Sequence, residues 1–247
     1  MSERAGSEPA LTVADVDALR ECIAGGGVCV FGADTVYGLG CDPENELAVR
    51  RLYELKGYSP ARAAMRPAAV MFFALSNALR ELSDDLGPRE RAALEALLPG
   101  PLTLLLGNRS RRYPLACGAV AAAGEGEEAD GSPGADGSDT IGSDTLGFDT
   151  LGLRVPWLGD RLAALSSLER PLLQSSANLS GGPEARRLPD IPASIRAGAD
   201  LVLDGGELPG VASTVLDLRD YARTGQWRIV RAGPLGRREI ERMLISC

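Results

Sequence analysis

The sequence predicts an α/β fold: a single domain built on one main sheet with flanking helices. Three observations predict it. Short apolar runs that read as strands alternate along the chain with amphipathic stretches that read as helices. No Pro/Gly/Ser-rich linker divides two cores, and 247 residues suit one or two domains of roughly 150 residues each. Hydrophobic residues make up 45% and charged residues 24%, enough to bury a core without disulfides or a metal.

Thr12-Val13-Ala14-Asp15 resembles a capping box and opens an amphipathic helix that stops at Gly25-Gly26-Gly27. Val28–Phe31 reads as a buried strand. Glu44–Lys56 has Leu47, Val49, Leu52 and Leu55 at helical spacing. Ala68–Phe73 is a strand, Pro88–Leu98 a helix that ends at Pro99-Gly100-Pro101, and Leu102–Leu106 a strand. Further on come strand Leu151–Val155, helix Leu158–Leu165 and strand Leu172–Gln174. Ile191–Arg196, Leu201–Leu203, Thr214–Leu218, Trp227–Val230 and Gly236–Leu244 complete the alternation. Trp157 and Trp227 flank strands and are expected to pack.

Lys and Arg number 26 and Asp and Glu 34, a net charge of −8. Gly118–Asp149 alone holds eight acids and no Lys or Arg, so it accounts for the whole excess. The rest of the chain is formally neutral and is free to carry a local basic face. This stretch is rich in Gly, Ala and Ser and is read as an acidic mobile insert. The domain is therefore placed at 11–235, interrupted at 118–149, with 236–247 as a C-terminal helix or tail.

The chain has no histidine, which removes His-based triads and His-containing metal sites. No metal ligand set is expected. Five cysteines without a C-x-x-C pair read as reduced thiols, and the apolar runs are too short for a bilayer. The N-terminal stretch has no secretory pattern. A cytoplasmic protein with no membrane partner is expected.

What remains is a set of polar loops at strand ends, where open α/β sheets bind ligands. Gly32–Gly40 offers glycines and the Thr35 hydroxyl. Gln174–Gly181 offers Ser175, Ser176, Asn178 and Ser180 to cradle phosphate. Ala212-Ser213-Thr214 opens a strand, and Lys56, Arg154 and Arg231 stand near element ends. Arg154 interrupts the apolar run Leu151–Pro156, where a buried guanidinium needs an anion.

Six motifs occur in the order found in the YrdC/TsaC family, which this chain resembles from about Leu11 to Leu235. They are Thr35-Val36-Tyr37-Gly38-Leu39-Gly40, Leu55-Lys56-Gly57, Pro99–Thr103, Gly152–Pro156, Ser175–Gly181 and Ser213–Asp217. The resemblance implies a twisted, largely parallel α/β sheet with flanking helices around a concave basic face. It implies L-threonylcarbamoyladenylate synthase activity. L-threonine, bicarbonate and ATP would yield threonylcarbamoyl-AMP and pyrophosphate, for a transferase complex that modifies tRNA. Contact with tRNA would be indirect. Thr35, Arg154 and Ser213 would bind threonine, with Arg154 on its carboxylate or carbamate. Lys56, Thr150, Ser176, Asn178 and Arg231 would bind ATP, accompanied by Mg2+.

Two departures from the family pattern stand out. Phe31-Gly32-Ala33 replaces the usual Tyr-Pro-Thr, and Tyr58 stands where the family has an Arg two residues after the lysine. Arg62 and Arg66 are the candidates to supply that phosphate contact. Two other readings fit the same fold: a catalytically weak RNA-binding protein, and an enzyme that forms a carbamoyl-adenylate.

Overall fold

Thr12 opens the first helix as its sequence predicts. Its backbone N–H donates to Asp15 Oδ2 (2.7 Å), and the Asp15 N–H donates back to Thr12 Oγ1 (3.3 Å). The computed structural model describes residues 10–59, 67–117 and 149–245. The expected insert, apart from Asp149, and the candidates Arg62 and Arg66 lie outside the described residues.

The helix α1 (Val13–Ala24) closes at Gly25, followed by Gly26 at φ +75°, a conformation that favours glycine. Strands β1 (Cys29–Gly32) and β2 (Tyr37–Cys41) form an antiparallel hairpin. The second strand was expected as loop. Its Gly38 and Gly40 lower intrinsic strand propensity, and pairing on both sides overrides that. Helix α2 (Glu46–Leu55) starts at Asn45, whose side chain accepts from Ala48 N. Strand β3 (Ala69–Met71) is shorter than expected, and α3 (Leu75–Glu81) follows it unanticipated. Next come α4 (Pro88–Leu97), β4 (Leu102–Gly107) and β5 (Thr150–Arg154). The helix expected at 158–165 is a 3-10 segment, Asp160–Ser167, starting two residues later. Strand β6 (Leu172–Ser176), helix α5 (Ala193–Gly198), β7 (Leu201–Val202), β8 (Thr214–Asp217), α6 (Tyr221–Thr224), β9 (Arg228–Arg231) and α7 (Arg237–Ile245) complete the order.

The nine strands among the described residues join one sheet in the order β7-β1-β2-β6-β3-β5-β4-β8-β9. The α/β class holds, but the sheet is mixed rather than largely parallel. The parallel pairs are β1–β7, β3–β5 and β4–β8, and the other five are antiparallel. Strand β6 returns between β2 and β3, antiparallel to both, and that insertion breaks the parallel run. Strands β1, β2, β3, β5 and β8 bury every residue, so their sequences read as continuous runs without alternation. Helix α7 lies on α4 and buries Ile240 and Leu244. Trp227 packs beneath the Arg237 guanidinium, 4.7 Å from its ring centre. Trp157 does not pack as expected; it is 68% exposed. Among the described residues no helix is long and apolar enough to cross a membrane.

Candidate active site

Antiparallel pairing brings the start of β2 and the end of β6 to the same end of the sheet. The start of β4, the end of β5 and the start of β8 meet at the opposite end of the β3 register, and the Arg154 side chain reaches back to Gln174 and Thr35. Between these ends lies a cleft lined by Thr103, Arg154, Gln174, Ser176, Glu184, Ser213 and Arg231. Ala68 and Ala69 also line it, and Ala69 pairs with Gly152 on one side and Gln174 on the other.

Arg154 is the buried charge that the sequence singled out, and its side chain is 4% exposed. One terminal nitrogen donates to Asp34 Oδ1 (2.7 Å) and to Thr35 Oγ1 (3.1 Å). The other donates to Gln174 Oε1 (3.3 Å). The anion that its apolar setting requires is therefore supplied within the chain, by Asp34, where the resemblance implied a substrate carboxylate. Asp34 is buried equally and also accepts from Trp157 N. Burial pushes the Asp34 carboxyl above its ordinary range, with the Arg154 guanidinium opposing. Burial likewise lowers Arg154, while Asp34 and then Glu184 favour its charged form. Arg154 Nε is buried and has no hydrogen-bond partner among the described residues. Such an orphan donor is costly unless something occupies it.

Gly38 makes this arrangement possible. A β carbon there would stand 2.7 Å from Gln174 Nε2, so only glycine lets the Gln174 amide lie across β2 and reach Arg154.

On the opposite wall, Ser213 Oγ and Thr103 Oγ1 lie 2.7 Å apart. Arg231 donates to the Ser213 carbonyl (3.0 Å) and to its hydroxyl (3.3 Å). Gly233 holds this wall together: a β carbon there would come within 2.3 Å of Thr214 N. The close approach is sealed by Thr214 Oγ1, which donates to Leu235 O and accepts from Leu235 N, both at 3.0 Å.

Lys56, 1% exposed, stands behind Ser176. Its ammonium donates to Ser176 O (2.6 Å), Asn178 Oδ1 (2.9 Å) and Asn178 O (3.1 Å). Asn178 Nδ2 in turn donates to Gly182 O (2.7 Å), so one cation pins the whole loop after β6. Gly57 at φ +84° turns the chain after Lys56, and Tyr58 then packs edge-on against Tyr53. The Tyr58 hydroxyl accepts from Ser180 Oγ (2.8 Å), tying the same loop from its far side.

The structure thus brings Arg154, Ser176, Ser213 and Arg231 to the cleft wall, with Thr35 beneath Arg154 and Lys56 and Asn178 behind Ser176. Thr150 is not with them. It sits at the other end of β5, about 13 Å away along a strand of this length. Its hydroxyl accepts from Arg219 (3.4 Å), beside Asp217. Asp34, Thr103, Gln174 and Glu184 were not assigned roles from sequence; register and loop closure place them. The signal available for Asp34 was Arg154 itself, whose burial demanded an acid.

The Sua5/YciO/YrdC family, described as "Telomere recombination", matches residues 21–233. The chain belongs to the Sua5/YciO/YrdC family. It is 31% identical over 217 residues to a threonylcarbamoyl-AMP synthase of Xanthomonas campestris, covering 86% of this chain and 95% of that one. It is 29% identical over 220 residues to the threonylcarbamoyl-AMP synthase of Pyrococcus abyssi, covering 89% of this chain and 54% of that one. The chain thus spans about half the length of the P. abyssi relative. A crystal structure of P. abyssi Sua5 complexed with L-threonine has the same fold, with TM-score 0.70 at 24% identity, over 94% of this chain and 58% of that one.

Proposed function

We propose that this chain is a threonylcarbamoyl-AMP synthase. The observation that carries the reading is the Arg154 Nε–H, buried without a partner in a cleft that also presents the Ser213–Thr103 hydroxyl pair and Arg231. A carboxylate on the Nε edge of Arg154 completes its hydrogen bonding while Asp34 holds the other edge. A hydroxyl-bearing amino acid suits the Ser213–Thr103 pair. The names of the relatives support threonine as that amino acid.

In this reading the threonine amine adds to the carbon of bicarbonate with loss of water. An oxygen of the resulting carbamate attacks the α-phosphorus of ATP, and the bond to pyrophosphate breaks. The chain's contribution is positioning and charge neutralisation, which need no histidine. Arg231 and Ser176, which line the cleft, face the phosphates. Lys56 acts through the loop after β6, which its ammonium holds rigid. Mg2+ would arrive with the ATP phosphates; Glu184 is the acid among the residues lining the cleft. The product would pass to a transferase complex acting on tRNA.

The test is pyrophosphate release from ATP and bicarbonate, with and without L-threonine. L-serine, carbamoyl phosphate and tRNA alone serve as comparisons. Release that requires threonine is the expected result. Dependence on carbamoyl phosphate, or no release from a folded protein, overturns the reading.

A further inference from the structure

Strands β2 and β6 carry the cleft at one end and a second groove at the other. The residues just past β2 and just before β6 meet the end of α3 and Tyr113 around an open groove. Its charged lining is Asp42, Glu44, Glu81 and Glu169 against Arg80 and Arg170, a net excess of acid. Ile23, Pro43 and Pro171 give it apolar walls. Two of the acids already have partners. Glu81 accepts from Arg112, and Asp42 lies 3.9 Å from Arg170, whose side chain is 71% exposed and free to swing away.

Tyr113 separates this groove from an ordinary solvated acidic surface. It is only 7% exposed, with its ring edge-on against Phe72. Tyr113 lines the groove, and its hydroxyl makes no hydrogen bond with the described residues. Burial pushes its phenol up to about 12, and Glu81, Glu44 and Asp42 add to the rise while Arg112 opposes it. The phenol stays neutral and shares the groove's lining with Asp42, Glu44 and Glu81, while the Arg112 guanidinium lies over its ring, 5.9 Å from the ring centre. Among the described residues no three acids, cysteines or histidines converge as a metal set. An organic cation fits better: carboxylates and the phenol oxygen accept from an ammonium, and the prolines and Ile23 cover its methylenes.

We propose that this groove binds a primary alkylammonium group, the chemistry shared by a polyamine and a lysine side chain. The site is separate from the cleft, and the proposal does not depend on the reaction assigned there.

The test is calorimetric titration of the full chain at low ionic strength, where exposed charges are least screened. The probes are spermidine and N-acetyl-lysine methylamide, with N-acetyl-norleucine methylamide as the neutral comparison. One site that takes an ammonium probe but not the neutral one is expected. Tyr113→Phe keeps the ring and removes one acceptor, and should weaken binding about fivefold. Glu44→Gln, at an exposed position, should weaken it about threefold. Glu241→Gln on α7 should leave it unchanged. Spermidine alone binding identifies a free polyamine; the capped lysine binding as well identifies a protein side chain. No binding, or binding that all three variants leave equal, overturns the proposal.

Discussion

Asp34 Oδ1 and a terminal nitrogen of Arg154 lie 2.7 Å apart, and both side chains are 4% exposed. The pair joins the hairpin turn between β1 and β2 to the end of β5, two segments 120 residues apart in sequence. It also sets which edge of the guanidinium faces the cleft. Asp34 and Thr35 occupy one terminal nitrogen and Gln174 the other, leaving Nε for a ligand.

Arg154→Lys tests that geometry. An ammonium keeps the charge but loses the planar fork that serves three partners and a ligand together. Steady-state pyrophosphate release should show a KM for threonine raised about tenfold or more, with the KM for ATP little changed. An equal rise in both would place Arg154 outside the amino-acid subsite.

The same pair has a pH signature. Burial raises the Asp34 carboxyl above its ordinary 3.8. Just above pH 3.8 the folded chain therefore holds a proton that the unfolded chain has released. Stability from this group is complete below pH 3.8 and is lost as pH climbs through the raised folded value. Asp34→Asn removes that dependence. Denaturant titrations of both proteins should show wild type losing stability relative to the variant as pH rises through this window. A wild-type advantage that grows with pH would show that Arg154 outweighs burial.

The polar residues legible in the sequence were those whose chemistry conflicts with their setting. Arg154 stands inside an apolar run, and Ser176 and Asn178 follow an apolar strand directly. Their partners were not legible. Gln174 reaches Arg154 because Gly38 opens space on the neighbouring strand, and Thr103 meets Ser213 across a parallel pair. Such contacts depend on register, which is fixed by pairings between segments far apart in the chain. Strand β2 was missed for a related reason: its glycines signal a loop locally, and they serve close packing in the sheet. Thr150 stands on the same strand as Arg154 at its other end, and the register of β5 and β6 on β3 sets it level with the end of β6.

Gly233→Ala tests whether the Ser213 wall is built by backbone approach. A β carbon at 2.3 Å from Thr214 N meets backbone, which has no rotamer to yield. The variant should lose about 2–3 kcal/mol in denaturant unfolding, a large cost for one methyl group. Threonine affinity should fall with it, because Arg231 leaves Ser213 when the segment shifts. Gly38→Ala is the milder companion. It displaces one flexible amide and should weaken threonine use with a smaller stability loss.

Lys56 separates a structural cation from a phosphate-binding one. Its ammonium is buried and engaged by Ser176 and Asn178, so in this structure it orders the loop directly. Lys56→Met keeps the stem and removes the charge. It leaves the Asn178 carbonyls without their donor, which costs about 1–3 kcal/mol for each buried acceptor left unmade. The variant should unfold at lower denaturant, and proteolysis should cut first within 176–182. Activity should fall through kcat as the loop loses its shape. A variant with wild-type stability and only a raised KM for ATP would show that the ammonium leaves the loop to meet the phosphates.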